Sequence, residues 1–152
     1  MGERNFGQLG GQFQQQLIKA IIEDKKYGDT IIDVIDSRYF DNNSFKYIME
    51  NIKELYRNYN KLPNYETLAQ KIISEETSSG SNRVHIDTLE SIKKVEREND
   101  FVKDTALNFC KQQNLKKELK KVQNIIENGE FEAYNKIEDI IQKALQVGII
   151  DD

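Results

Sequence analysis

Cys110 and His85 are the only cysteine and histidine in the 152 residues. A thiolate–imidazole pair is a nucleophile with its base, but two such side chains cannot supply the four ligands of a structural zinc site. Cys110 belongs to an apolar stripe at helical spacing, Phe101-Val102, Thr105-Ala106 and Phe109-Cys110, which makes it a small buried hydrophobe. His85 follows the polar stretch Thr77–Asn82 and reads as a surface or helix-entry residue. Asp33 and Asp36, three apart on a helical face, and Glu75 beside Glu76 read as solvated carboxylates. General acid–base work needs a partly dry pocket that shifts pKa values, and the sequence shows none. A phosphate loop ends in Lys-Ser or Lys-Thr after a strand; Gly7-Gln-Leu-Gly-Gly11 has neither. The basic cluster Lys116, Lys117, Lys120 and Lys121 is the remaining feature, with Lys111 upstream. Like charges one helical turn apart cost a few tenths of a kcal/mol per pair, roughly. The plain reading is a solvated face partly balanced by Glu118, and the alternative is contact with nucleic acid or an acidic partner. No catalytic, cofactor-binding or metal-binding residue is assigned, and the chain is not expected to be an enzyme.

The elements that would carry these residues are helices. A hydrophobic fraction of 38% beside 32% charged residues suits helices with broad solvated faces, and the single proline, Pro63, forces few breaks. The expected class is all-α: a small helical bundle followed by a long C-terminal helical hairpin. Residues 1–11 read as a glycine-rich flexible arm. Phe13, Leu17, Ala20 and Ile21 mark a first helix ending near Lys25-Lys26-Tyr27-Gly28, with Gly28 as a left-handed cap. Thr30–Ile35 fits a helical turn or two, with a short strand as the alternative. Tyr39 and Phe40 are core plugs. Asp41-Asn-Asn-Ser44 starts the clearest helix, whose inner face is Phe45, Ile48, Ile52, Leu55 and Tyr59. Asn64 caps the next helix, with Leu68, Ala69, Ile72 and Ile73 inward. Thr77–Asn82 is a polar loop. Ile86, Leu89, Ile92 and Val95 form a further helix capped near Asp87. Residues 12–98 thus make a globular subdomain, and 100–148 a hairpin broken at Asn128-Gly129.

The hairpin carries two apolar stripes, Leu115, Leu119, Val122 and Ile126 on one arm and Ile137, Ile140, Ile141 and Leu145 on the other. One stripe serves the hairpin's own seam, and the surplus suits a second copy. The residues alone leave open which serves which. The net charge is −4, from 22 basic and 26 acidic residues, which argues against charge-driven nucleic-acid binding by the chain as a whole. One cysteine fits a reducing cytoplasm. No apolar run nears the roughly 20 residues of a membrane span, and Met1–Gly7 lacks a signal core.

In their order and separation these segments resemble the N-terminal domain of replicative hexameric DNA helicases of the DnaB family, bacteriophage branch. The resemblance rests on Phe13–Ile22, on Tyr39-Phe40-Asp41 leading into Phe45-Lys-Tyr-Ile48, and on Tyr59–Leu68 with its proline turn. Phe101–Lys111, Leu115 and Ile137–Leu145 complete it, so that it spans about residues 12–148. It implies a non-catalytic assembly and docking domain. Such domains pair through their hairpins into a trimer-of-dimers collar that supports the hexamer and offers a surface to primase, and loaders also engage the helicase. It further implies that ATP, Mg and most contact with single-stranded DNA belong to a downstream ATPase domain, whose linker would start at 149–152. The location implied is the cytoplasm, that of a bacterial host for a phage protein. A free-standing loader- or inhibitor-type adaptor and a weak single-stranded DNA binding module are the alternatives.

Overall fold

The computed structural model describes residues 5–75, 81–96, 100–129 and 133–147. Among them the protein is all-α, with α1 (Gly11–Glu23), α2 (Lys25–Ile31), α3 (Asn43–Tyr59), α4 (Tyr65–Ser74), α5 (Ser81–Lys94), α6 (Asp100–Glu127) and α7 (Tyr134–Gln146). Short 3-10 turns at Phe6–Leu9 and Ser37–Tyr39 precede α1 and α3.

Local chemistry explains the breaks. Asp24 leaves helical geometry, and its carboxylate accepts from the Tyr27 amide at 3.2 Å, so it ends α1 and caps α2 in one residue. The expected cap at Gly28 is therefore incorrect: Gly28 lies inside α2. Its role is close approach, because a Cβ there would stand 2.5 Å from both the Ile21 carbonyl oxygen and Leu62 Cδ1. Thr30 and Ile31 end α2, and the segment after it is a turn rather than a strand. Asn42 Oδ1 accepts from the Ser44 and Phe45 amides at 2.8 and 3.2 Å and starts α3; Asn60 ends it at φ 55°. Asn64 caps α4 through the Thr67 amide at 2.8 Å.

The core gathers the inner faces of α1 to α5. Leu17, Ile18 and Ile21 of α1 meet Ile48, Met49 and Ile52 of α3, Leu68 and Ile72 of α4, and Leu89 and Ile92 of α5. Two expected inward residues are not there: Tyr59 and Ile73 stand largely in solvent, because each lies at the last turn of its helix, beyond the neighbour it would pack on. The helix expected to start near Asp87 starts at Ser81, which leaves Asp87 exposed within α5. Residues 77–80 of the expected polar loop lie outside the described residues, as does the 149–152 linker, and the loop's last two residues, Ser81 and Asn82, belong to α5 instead.

Two boundaries also move. The described part of the expected flexible arm is ordered by packing. Phe6 is fully buried, with ring centroids 5.9, 5.9, 5.3 and 5.0 Å from Phe13, Tyr39, Phe40 and Phe109. The globule, in turn, does not stop before α6. Val102, Ala106, Leu107 and Cys110 belong to its core, the later turns of α6 pair with α7, and Val147 just after α7 packs back against the core. Phe101, expected on the apolar stripe, is exposed.

Candidate functional site

The root of the hairpin is fixed by a mixed polar clamp. Lys103 Nζ sits 2.7 Å from Asp24 Oδ2, and the Tyr27 hydroxyl donates to the Lys103 carbonyl at 2.8 Å. The Lys103 ammonium bonded to Asp24 holds that carboxyl below its usual range. The aromatic group around Phe6 adds Phe109 of α6, whose ring meets Tyr39 edge-on at 5.1 Å.

Beyond that root, α6 and α7 run antiparallel around Val122, Ala133 and Ala144, all buried, and Gly129 at φ 66° follows the end of α6. Leu115, Ile137, Ile140 and Ile141 are half-buried at this seam. Leu119, Ile126 and Leu145 are 47%, 56% and 61% exposed. Leu119 and Ile126 lie seven residues apart, so both sit on the same flank of the Val122 line. Leu145 follows the buried Ala144 by one residue, as a flank position of α7. Because the helices are antiparallel, that rotation carries Leu145 to the same side of the hairpin. The three therefore edge one apolar strip that continues into Ile141. The division between seam and surplus, undecided by the sequence, is thus settled within the chain: Val122 and Ala144 close the hairpin, and Leu119, Ile126 and Leu145 do not.

The opposite face of α6 is different. A cleft of about 920 Å³ opens between it and the segment around Asp33–Tyr39. Lys116, Lys117 and Lys120 line it from α6, with Gln113 and Asn114 one turn earlier. Lys53 of α3 enters from the globule and donates to the Ile35 carbonyl. Burial pushes its ammonium below the usual lysine range. Arg38 closes the rim, its guanidinium forked on Asp36 at 2.7 and 3.1 Å; that contact lowers the Asp36 carboxyl. The Gln113 side-chain nitrogen is buried and has no hydrogen-bond partner among the described residues. The expected lysine quartet is thus a trio. Lys121 faces elsewhere, 3.1 Å from Glu118, while the other three have no carboxylate partner among the described residues.

The residues with catalytic potential are placed in structural roles. Cys110 is fully buried, and burial pushes its thiol up to about 12, which leaves it a packing group. His85, expected at a surface or helix entry, lies within α5, half-buried. Its ring stacks on Tyr47 with centroids 4.1 Å apart, and its Nδ1 is 3.0 Å from the Ser44 hydroxyl. Ser44 is itself buried in the first turn of α3, so the contact ties α5 to α3. Asp36 caps the Ser37–Tyr39 turn through the Arg38 amide at 2.9 Å rather than sharing a helical face with Asp33. Glu75 accepts from Tyr47 and Lys71, and Lys71 also reaches Asn51 Oδ1 at 2.6 Å, tying α3 to α4. Among the described residues no group of three or more His, Cys, Asp or Glu could hold a metal ion. No described helix is long and apolar enough to cross a membrane.

Three buried polar residues escaped the sequence reading. Gln14 accepts from the Asp41 amide at 3.1 Å and donates to the Gly10 carbonyl at 3.2 Å. Lys19 Nζ donates to the Lys93 and Val95 carbonyls at 2.8 and 2.9 Å, capping the end of α5. Asn51 donates to the Tyr47 carbonyl at 2.8 Å. Gln14 shares a helical face with Ile18 and Ile21, and that spacing was the available signal.

No protein-family model matches the chain, and no curated protein matches it.

Proposed function

We propose that the chain is a non-catalytic assembly and docking domain, of the kind found at the N-terminus of phage-type replicative DNA helicases. In this reading its hairpins pair copies into a collar that supports a hexamer and presents a docking surface to primase or a loader. ATP and Mg would be handled by a separate ATPase domain. The observation that carries the reading is the strip edged by Leu119, Ile126 and Leu145, which the chain's own hairpin leaves exposed. Burying a Leu or Ile fully is worth about 1.5–3 kcal/mol, so a half-exposed one retains about 1 kcal/mol. Six such side chains across a symmetric pair supply about 6 kcal/mol, against an association cost of at least about 4 kcal/mol. The difference of about 2 kcal/mol corresponds to a Kd of roughly tens of millimolar, so the three residues alone do not hold a dimer at micromolar concentration. Tighter pairing requires Leu115, Ile137 and Ile141 to join the contact.

Sedimentation equilibrium tests this. The chain is expected to form concentration-dependent dimers or higher rings, and Leu119→Asp with Leu145→Asp to return it to monomer with unchanged helicity. A wild-type chain that stays monomeric at high micromolar concentration sinks hairpin-driven assembly. An ATPase phosphate loop downstream in the same reading frame is the corresponding test of the helicase assignment.

A further inference from the structure

The cleft behind α6 is unusual for this molecule. The chain carries more acidic than basic residues, yet this lining reverses the balance, with Arg38, Lys53, Lys116, Lys117 and Lys120 against Asp33 and Asp36. Two of the cations are already engaged, Arg38 by Asp36 and Lys53 by the Ile35 carbonyl. The three α6 lysines have no such partner among the described residues, and they lie within one arc of the helix. Neighbours one turn apart there are about 5–6 Å from each other at Cβ. Holding three ammonium groups together costs repulsion that an acid-rich chain could have relieved with a nearby glutamate, as it does for Lys121 with Glu118. The buried amide nitrogen of Gln113, which has no hydrogen-bond partner among the described residues, borders the same cleft and wants an acceptor.

We propose that this cleft binds single-stranded nucleic acid, with successive phosphates on Lys116, Lys117 and Lys120. The rest of the lining favours a nucleic acid over an acidic peptide. Gln113 and Asn114 can each donate and accept, and Asp33 can only accept. Base edges present amino donors as well as acceptors, which suits this mixed lining, whereas the carboxylates of an acidic peptide only accept. Tyr39 is the one aromatic residue of the lining, and its ring is already held edge-on by Phe6 and Phe109, so stacking adds little. Affinity then rests on phosphate neutralisation. With three phosphates the slope of log K against log salt is about −2, and raising salt from about 50 to 200 mM weakens binding about 20-fold.

The site lies on the face of α6 away from α7, so it is separable from hairpin pairing. The test is fluorescence anisotropy of a labelled oligothymidylate titrated with the chain, repeated with the Leu119→Asp, Leu145→Asp variant. Both proteins are expected to bind at low salt with the slope above. Lys116→Glu with Lys117→Glu and Lys120→Glu should weaken binding at least tenfold while circular dichroism is unchanged. The equal charge change at Lys25, Lys26 and Lys61, outside the cleft, should weaken it less than threefold. Absence of low-salt binding overturns the proposal, as does equal weakening by the two triple variants. Polyglutamate that competes on equal terms per charge assigns the cleft to an acidic protein instead and also overturns it.

Discussion

Replacing Phe6 by alanine is the sharpest probe of how the globule and the hairpin are joined. Phe6 is fully buried and meets four rings, those of Phe13, Tyr39, Phe40 and Phe109. Truncating a buried Phe to Ala costs about 3–5 kcal/mol. Four ring contacts, each worth up to about 1 kcal/mol beyond area, place this site toward the upper end. A domain of this size has about 5–15 kcal/mol in total, and each kcal/mol moves its melting temperature by about 2–4 °C. The expected result is a loss of about 4 kcal/mol and a fall in melting temperature of about 10 °C. Urea denaturation followed by circular dichroism reads the first quantity, and calorimetry the second. Phe6→Leu, which fills much of the volume without the ring contacts, should lose about half as much. Because Phe109 is one of the four partners, amide exchange in α6 near Cys110 should accelerate in Phe6→Ala. A loss below about 1 kcal/mol, or exchange in α6 that does not change, would show that Phe6 is an ornament of a loose arm and refute the packing argument.

Gly28→Ala should lower the melting temperature, since a methyl 2.5 Å from a carbonyl oxygen and from Leu62 costs about 1–3 kcal/mol of overpacking; this exceeds the gain of about 1 kcal/mol in helix propensity, and a stabilised variant would contradict it. Asp24, whose folded carboxyl is held below its unfolded value by Lys103, contributes stability that is present above the ordinary aspartate range near pH 4 and lost as pH falls through its lower folded value. Asp24→Asn should therefore be less stable at neutral pH and show a flatter stability profile below about pH 4, and an unchanged acid limb in denaturation curves would count against the clamp. Cys110 should resist a thiol reagent in the native chain and react at once in denaturant, because its thiol is buried and pushed up to about 12; fast native labelling would mean that the α6 root opens.

Much of the helical layout was legible. The steps of three and four from Phe45 to Leu55 define α3, and Asn42 and Asn64 act as the start signals their type and position announce. What failed was information held by neighbours. Tyr59 keeps the α3 period but outruns the surface it would pack on. Asp24 splits a run of helix formers because its carboxylate finds the Tyr27 amide, and nothing in Ile22–Lys26 marks that choice over continuation. Phe6 lies among glycines that suggest freedom, and only the rings of Tyr39, Phe40 and Phe109, distant in sequence, fix it. The cleft was half visible. Its lysines could be read as a row, but the opposing wall at Asp33–Tyr39 arrives through the fold, as does the pairing that removes Lys121.

The long α6 has a mechanical consequence. It is gripped by the globule up to Cys110 and then continues for about 25 Å to Glu127. A rod held at one end magnifies any change of tilt where it is held. A rotation of about 10° there sweeps the far end through about 4 Å by this length. A nucleic-acid strand lodging behind the lysine trio would press close to that fulcrum. It could thereby re-aim the tip, and whatever the tip grasps, without altering a single contact between the two arms.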